Sequence, residues 1–308
     1  MPTAARVLHL AAGTVGVGAL AGAAGVGYAA GYEVRAFVLR HAVVPVLPVG
    51  AAPLRVLHLS DLHLVPRQHR KRAWVAALAD LEPDLVVTTG DNLAAQDAVP
   101  AVLETYAGLL ERPGVFVLGS NDYWAPKPRN WSKYLRGPSD GGAGDEAVRL
   151  PTDDLVRGFT DAGWVDLDNV RTRLTVNGLD LEFVGVDDPH LRYDRYHDVA
   201  GPAATDADLT IGVTHAPYRR TLDAMTADGA GLLIAGHTHG GQLCVPGFGA
   251  LVTNCDLPRK QASGLSRWSA ARHDAWLHVS AGLGTSPYAP LRFACRPEAT
   301  LLELVPRR

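Results

Sequence analysis

From residue 54 onward, short apolar runs recur along the chain, each closed by a cluster of polar residues. LRVLHLSD (54–61), DLVVTTGDN (84–92) and VFVLGSND (115–122) read as buried strands, being too short for helices and rich in Val and Leu. Between them the period changes. HRKRAWVAALADLEP (69–83) sets Trp74, Ala77, Leu78 and Leu81 on one helical face and stops at Pro83. DAVPAVLETYAGLLERPG (97–114) predicts a second helix. Strand, helix, strand, helix, strand at this spacing predicts parallel βαβ units of right-handed sense. The second half is richer in strands. LTVNGLDLEFVGVDD (174–188) holds Asn177-Gly178 between apolar runs, a strong hairpin signal. DLTIGVTHAP (208–217) and GLLIAGHTH (231–239) bracket a helix over 218–228, while AWLHVSAGLG (275–284) and TLLELV (300–305) close the chain. Residues 123–150 lack any such period and read as a long irregular insertion.

The N-terminus follows a different pattern. Val7 to Tyr32 carries no formal charge unless His9 is protonated, and about 20 apolar residues are enough to cross a bilayer as a helix. Residues 1–35 are therefore expected to form a hydrophobic helix that anchors the chain in a membrane. The alternatives are an export signal cleaved near Ala29 and Ala30, and a buried or poorly ordered leader. Arg6 precedes the stretch while Glu33, Arg35 and Arg40 follow it, so charge does not orient it. Pro45, Pro48 and Pro53 make residues 36–53 read as a linker, leaving 54–308 as the folded domain.

Composition adds limits. At 308 residues with 47% hydrophobic content the chain can bury a sizeable core, and a net charge of −3 gives no reason to expect nucleic acid. Cys244, Cys255 and Cys295 are odd in number and lack C-x-x-C spacing, which argues against a disulfide framework or a zinc knuckle.

The polar clusters carry the chemistry. Asp61-Leu62-His63, Gly90-Asp91-Asn92, Gly119-Ser120-Asn121-Asp122, Thr214-His215 and Gly236-His237-Thr238-His239 each follow a predicted strand. In open α/β sheets sites form outside the carboxyl ends of strands. Each motif alone has a plain reading as a turn, a helix cap or an interior histidine. Five of them converging on one edge do not. Asp61, His63, Asp91, Asn121, His215, His237 and His239 offer imidazole, carboxylate and amide donors without thiolate, a set suited to Mn, Fe or Zn. Seven donors exceed one tetrahedral ion and suit two divalent ions sharing a carboxylate. Such a pair activates a water that attacks phosphorus in line.

These ordered motifs resemble the calcineurin-like metallophosphoesterases over roughly residues 54–305. The uncharged N-terminus, GHTHGGQL and AGLGTSPYAPLRFACRPE (281–298) are similar to its membrane-associated bacterial branch. The resemblance implies a four-layer αββα sandwich with two central mixed β-sheets. It also implies that Asp61, His63 and His239 hold one ion, that Asn121, His215 and His237 hold the other, and that Asp91 bridges them. The expected activity is hydrolysis of phosphoesters, with phosphodiesters foremost.

The chain departs from the family at one motif. Gly-Asn-His-Asp or Gly-Asn-His-Glu is usual there, with Asn as ligand and His assisting catalysis, whereas this chain reads Gly119-Ser120-Asn121-Asp122. An ungapped match puts Ser120 at the ligand position; a one-residue shift keeps Asn121 as ligand and loses the histidine. Asp122, or His190 or His197 from elsewhere, is the expected substitute. Asn92, Ser120 and Arg292 are candidates for contact with substrate. The insertion, with Tyr123, Trp124, Trp131 and Tyr134 among Lys127, Arg129, Lys133 and Arg136, suits a loop over a phosphate or lipid headgroup. An anchored enzyme meets lipid-linked or envelope phosphodiesters first. The competing readings are a metal-bound, weakly active sensor or scaffold and a mononuclear zinc hydrolase.

Overall fold

The computed structural model describes residues 22–128 and 147–307. The first 21 residues and positions 129–146, which hold most of the expected anchor and of the insertion, lie outside them. The described part is a mixed α/β sandwich of two six-stranded sheets. The first sheet runs β1 (Val38–Leu47), β14 (Glu298–Pro306), β2 (Leu54–Leu59), β3 (Leu85–Thr88), β4 (Gly114–Phe116) and β5 (Val165–Asp166), in that spatial order. Strands β2 to β5 are parallel, as the βαβ reading requires, and β14 runs antiparallel to β2. The second sheet runs β12 (Gly264–Ala270), β13 (His273–Val279), β9 (Leu232–Ala235), β8 (Leu209–Thr214), β7 (Leu179–Val186) and β6 (Arg171–Val176). Its four central strands are parallel.

Alternation along the strands explains the packing. Val56, Leu85 and Val87 face Phe183, Ile211 and Ile234 across the space between the sheets. Their neighbours Leu57, Leu59 and Val86 point the other way, against Val75 of α1 (His69–Ala76), Tyr106 of α2 (Val99–Leu110) and Phe159 of α4 (Thr152–Asp161). A short helix α3 (Ser120–Tyr123) precedes α4. Outside the second sheet, Leu233 and Leu277 pack on Val199 of α5 (Tyr196–Val199) and Leu222 and Met225 of α6 (Arg219–Ala227). Period-two strands whose two faces are both apolar are what a sheet buried on both sides demands.

One expectation changes, two elements are added, and the anchor expected over residues 1–35 lies mostly outside the described residues. Residues 38–47, read as linker, form the edge strand β1, paired with β14 from Val38↔Glu298 to Leu47↔Pro306. Pro45 is tolerated because an edge strand leaves one row of N–H groups unpaired, so a missing donor costs little. The prolines signalled an edge and not an exit from the sheet. Helix α4 and strand β12 carried no signal that was read as an element. Finally, residues 22–35 are a chain of short helical turns, and no helix among the described residues is long and apolar enough to cross a membrane. The Asn177-Gly178 hairpin is present, with both residues at positive φ (50° and 81°).

Candidate metal centre

Because β2, β3, β4, β7, β8 and β9 run parallel within their sheets, their carboxyl ends deliver loops to a shared edge. The loops after β2 and β3 lie side by side: Asp61 N–H donates to Gly90 O and His63 N–H to Asp91 O, both at 2.9 Å. The second sheet closes on them through His237 N–H, which donates to Asp61 Oδ2 at 3.0 Å. Five of the expected ligands hold left-handed backbone: Asp61 (φ 49°), His63 (42°), Asp91 (55°), His237 (66°) and His239 (49°). For residues with a Cβ this conformation costs of order 1 kcal/mol each, and such strain concentrates where side chains are aimed at a site.

Ligand atoms of Asp61, His63, Asp91 and His239 all lie within 4.8 Å of one another. His63 Nε2 is 3.2 Å from His239 Nε2 and 3.4 Å from Asp91 Oδ2, and His239 Nε2 is 3.4 Å from Asp61 Oδ1. On the other side of Asp91, Oδ1 lies 3.6 Å from His215 Nε2, which is 3.3 Å from His237 Nδ1. Asn121 closes this second group, its backbone N–H reaching Asp91 Oδ1 at 2.7 Å and its Nδ2 reaching Oδ2 at 3.0 Å. The four candidate ligands Asp61, His63, Asp91 and His239 therefore meet, and His215, His237 and Asn121 stand next to them on the other side of Asp91.

The hydrogen bonds behind the histidines test whether the donors fit cations. His239 Nδ1 lies 3.1 Å from Gly284 O, His215 Nδ1 lies 2.5 Å from Thr89 O, and His237 Nε2 lies 3.3 Å from Asn254 O. A carbonyl only accepts, so each far nitrogen carries a proton; on the neutral rings of His237 and His239 the near nitrogen then turns a lone pair inward, while on His215 a cation must first displace the near proton. Asp61 Oδ1 is buried with no hydrogen-bond partner. Lone pairs of this kind, unpaired and facing one another in a buried space, are a donor set for cations.

Burial keeps His63 neutral, pulling it down to about 4, and holds His237 and His239 well below the usual histidine range. His215 behaves oppositely. Burial lowers it, but the Asp91, Asp188 and Asp61 carboxylates outweigh burial and lift it to about 9. Burial likewise opposes ionisation of Asp91, yet His215, His63 and the Asn121 N–H hold it well below the usual carboxylate range.

The calcineurin-like phosphoesterase profile matches residues 54–241, more than half of the chain and every one of these loops. The chain belongs to the calcineurin-like phosphoesterases. It is 28% identical over 262 residues to Phosphodiesterase YaeI of Escherichia coli, covering 83% of this chain and 84% of that one. The metallophosphoesterase YkuE of Bacillus subtilis is 26% identical over 303 residues, covering 95% and 94%. A Bos taurus transmembrane protein with a metallophosphoesterase domain is 28% identical over 275 residues, and the match spans 85% of this chain but 55% of the bovine protein. The chain is accordingly a metal-dependent phosphoesterase.

Behind Asp61 runs a buried chain of hydrogen bonds. Ser60 Oγ donates to Asp61 Oδ2 (2.5 Å), Thr89 Oγ1 to Ser60 Oγ (2.7 Å), and His58 Nε2 meets Thr89 Oγ1 (3.0 Å). An ionised Asp61 only accepts, which fixes every direction: each hydroxyl gives its proton toward Asp61, and His58 donates from Nε2. His58 Nδ1 then accepts from His278 Nδ1 at 2.9 Å. His278 lies on β13 of the second sheet, so this chain couples the sheets to the orientation of a ligand.

Three residues, Asp122, Asn92 and Arg292, are engaged elsewhere than expected, while Ser120 stays beside Asn121. Asp122 is fully buried and accepts backbone N–H groups from Asn92 (2.7 Å), Gly119 (3.0 Å) and Leu93 (3.2 Å). It clamps two loops together and is not placed as an acid. Asn92, also buried, is engaged with Asp122 and the Tyr106 hydroxyl and does not face the site. Ser120 Oγ accepts from Asn121 Nδ2 at 3.3 Å. Arg292 is fully buried, with Nη2 on the carbonyls of Ala281 (2.7 Å), Gly282 (3.1 Å) and Gly284 (2.7 Å). It braces the loop that receives His239 and does not reach out to substrate.

Of the two substitute histidines, His197 is 79% exposed beside Asp198. His190 packs its ring 4.5 Å from that of His237 and contacts the Tyr218 hydroxyl at 3.0 Å. It lies in Asp187-Asp188-Pro189-His190, the loop after β7. Buried Asp188 in the same loop accepts the His190 N–H at 2.8 Å. This loop is a sixth strand end on the same edge, and its signal in the sequence is the polar stretch Asp187-Asp188 that closes the run 181–186.

Proposed function

We propose that the chain is a dinuclear metal phosphodiesterase. The observation that carries this reading is the position of Asp91, whose two oxygens face separate imidazole groups. Asp61, His63 and His239 hold one ion, and Asn121, His215 and His237 the other, with Asp91 shared. Two divalent ions so held, Mn, Fe or Zn, supply an activated water and neutralise charge growing on the phosphoryl oxygens. The chain's own residues set the geometry. Carbonyls of Gly284, Thr89 and Asn254 fix the histidine tautomers, Ser60 and the His237 N–H orient Asp61, and Asn121 pins Asp91. His190, whose ring lies 4.5 Å from that of His237, is the candidate to take the role of the histidine missing from the Gly119–Asp122 motif.

The diester preference is supported by the name of the Escherichia coli relative; the altered Gly119–Asp122 motif fits a leaving group that needs little protonation, in a diester or a monoester alike. The uncharged run Val7–Tyr32 and the bovine relative's name support attachment to a membrane through residues 1–35. Mn²⁺-dependent hydrolysis of bis-p-nitrophenyl phosphate and p-nitrophenyl phosphate, measured in parallel with Asp91→Asn as control, tests the reading. Diester turnover that exceeds monoester turnover and vanishes in the control is expected. Metal bound at full occupancy with no turnover on either ester would replace the enzyme by a sensor.

A further inference from the structure

A small cavity of about 60 Å³ opens directly beside His237 and His239. Its far wall is Leu243, Leu251, Val252 and Leu291, and no Lys, Arg, Asp or Glu lines it. The polar side chains present are already engaged: Gln242 Nε2 donates to Ala289 O at 2.8 Å, and Asn254 contacts His237. A sugar, a second phosphate or a charged headgroup placed here would lose water without gaining partners, at a cost of kilocalories. An alkyl chain would lose nothing. By volume the cavity holds about four waters, or a similar number of methylenes.

The two segments that build this wall are apolar on their outer sides too. The β10–β11 hairpin (Cys244–Val245 and Gly249–Ala250) joins Leu243 to Leu251 and exposes Val245 (44%) and Phe248 (63%). The opposite segment exposes Tyr288 (51%) and Phe293 (37%) on either side of Leu291. Tyr28, from the helical turn Tyr28–Tyr32 that ends the uncharged N-terminal run, sets its ring 6.2 Å from Phe293, edge to face. Arg259 lies 5.4 Å over the Phe248 ring. Tyr28, Val245, Phe248 and Phe293 line a second, larger cavity of about 830 Å³ on the outer side of the same hairpin, where Arg40, Arg259 and Lys260 also stand. Outside a lipid or partner surface, such clustering is unusual for large apolar side chains.

We infer that the substrate is a phosphodiester bearing a long alkyl or acyl chain, with the first carbons past the phosphorus seated between His237 and His239 and the Leu243–Leu251–Leu291 wall. The remainder of the chain runs out over Phe248 and Tyr288 toward a lipid phase. The inference rests on the phosphodiesterase reading for its chemistry, but the cavity can be tested by binding alone. The Mn²⁺-loaded full chain is titrated calorimetrically with methyl-, butyl- and octylphosphonate, which bind without turning over. Burial of each methylene is expected to tighten binding by up to about fourfold. The dissociation constant should therefore fall at least tenfold from methyl to butyl, and further to octyl. Leu251→Glu should flatten the series, with methylphosphonate affinity reporting whether the metal site itself is intact. Equal affinity for all three ligands in the unaltered protein would overturn the inference, and a plateau at butyl would overturn the long chain. Chain-length dependence without turnover of any diester would leave the cavity assignment standing and sink the phosphodiesterase reading instead.

Discussion

Gly236 lies so close to Ser60 that a Cβ on the glycine would come 1.8 Å from Ser60 Oγ and 2.8 Å from Asp61 Oδ2. The glycine before the two metal-site histidines is therefore where the two sheets come into contact. Gly236→Ala should push Ser60 off Asp61, destabilise the fold by about 1–3 kcal/mol through overpacking, and weaken Mn²⁺ binding by at least about tenfold. Metal content after dialysis, read beside a denaturation curve, checks both. Full metal occupancy in a normally stable variant would show that the contact is slack.

Metal binding should release a proton. His63, His237 and His239 are neutral before metal arrives, whereas His215, lifted to about 9 by its carboxylate neighbours against burial, is charged. A cation takes the lone pair that this proton occupies. Calorimetry of Mn²⁺ binding in buffers of different ionisation enthalpy should show about one proton released per chain at pH 7.5. Release should fade as pH passes 9. Zero release at pH 7.5 would place His215 outside the metal set.

The buried His58–His278 pair should make the metal-free fold sensitive to acid. Burial holds His278 down to about 4 and His58 well below its ordinary value. Folded-state values below the unfolded one of about 6.5 mean that the unfolded chain takes up protons first. The stabilisation is therefore present above about 6.5 and lost as pH falls toward 4. His278→Leu should cost about 1–2 kcal/mol at pH 7.5, from the lost hydrogen bond, and lose less on going to pH 4.5 than the parent. Melting curves in EDTA at the two pH values give the comparison, and identical acid losses would refute the assignment.

Arg292 supports His239 both through the carbonyls it holds and directly, its Nη2 lying 3.4 Å from His239 Nδ1. Lysine carries one compact charge on a flexible stem and cannot span Ala281, Gly282 and Gly284 as the guanidinium does. Arg292→Lys should lower stability by about 1–3 kcal/mol and metal affinity by about 10–100-fold, while kcat at saturating metal changes less. A fall in KM-related affinity for substrate with metal affinity intact would restore Arg292 to substrate contact.

The strand ends were legible because apolar runs closed by Asp, His or Asn leave few alternatives, and their loops do share one edge, where Asp61, His63, Asp91 and His239 come together. Roles within the motifs were less legible. Asp122 and Asp91 look alike in sequence, each beside an asparagine and just past a strand. Only the fold shows that Asp122 turns inward onto backbone N–H groups while Asp91 faces imidazoles. Arg292 misled for a related reason: a lone arginine in a Gly- and Pro-rich segment suggests a phosphate ligand, and nothing local reveals three carbonyls folded around it. The edge strand 38–47 was hidden by its prolines, because its partner β14 lies about 260 residues away.

The central claim is that Asp91 joins two metal ions in one centre. Counting Mn²⁺ bound per chain while recording its electron paramagnetic resonance spectrum tests this most directly, in the parent protein and in Asp91→Asn. Two ions per chain with a spin-coupled spectrum, and loss of the coupling in Asp91→Asn, is the predicted result. One ion per chain, or two uncoupled ions indifferent to Asp91→Asn, would contradict it.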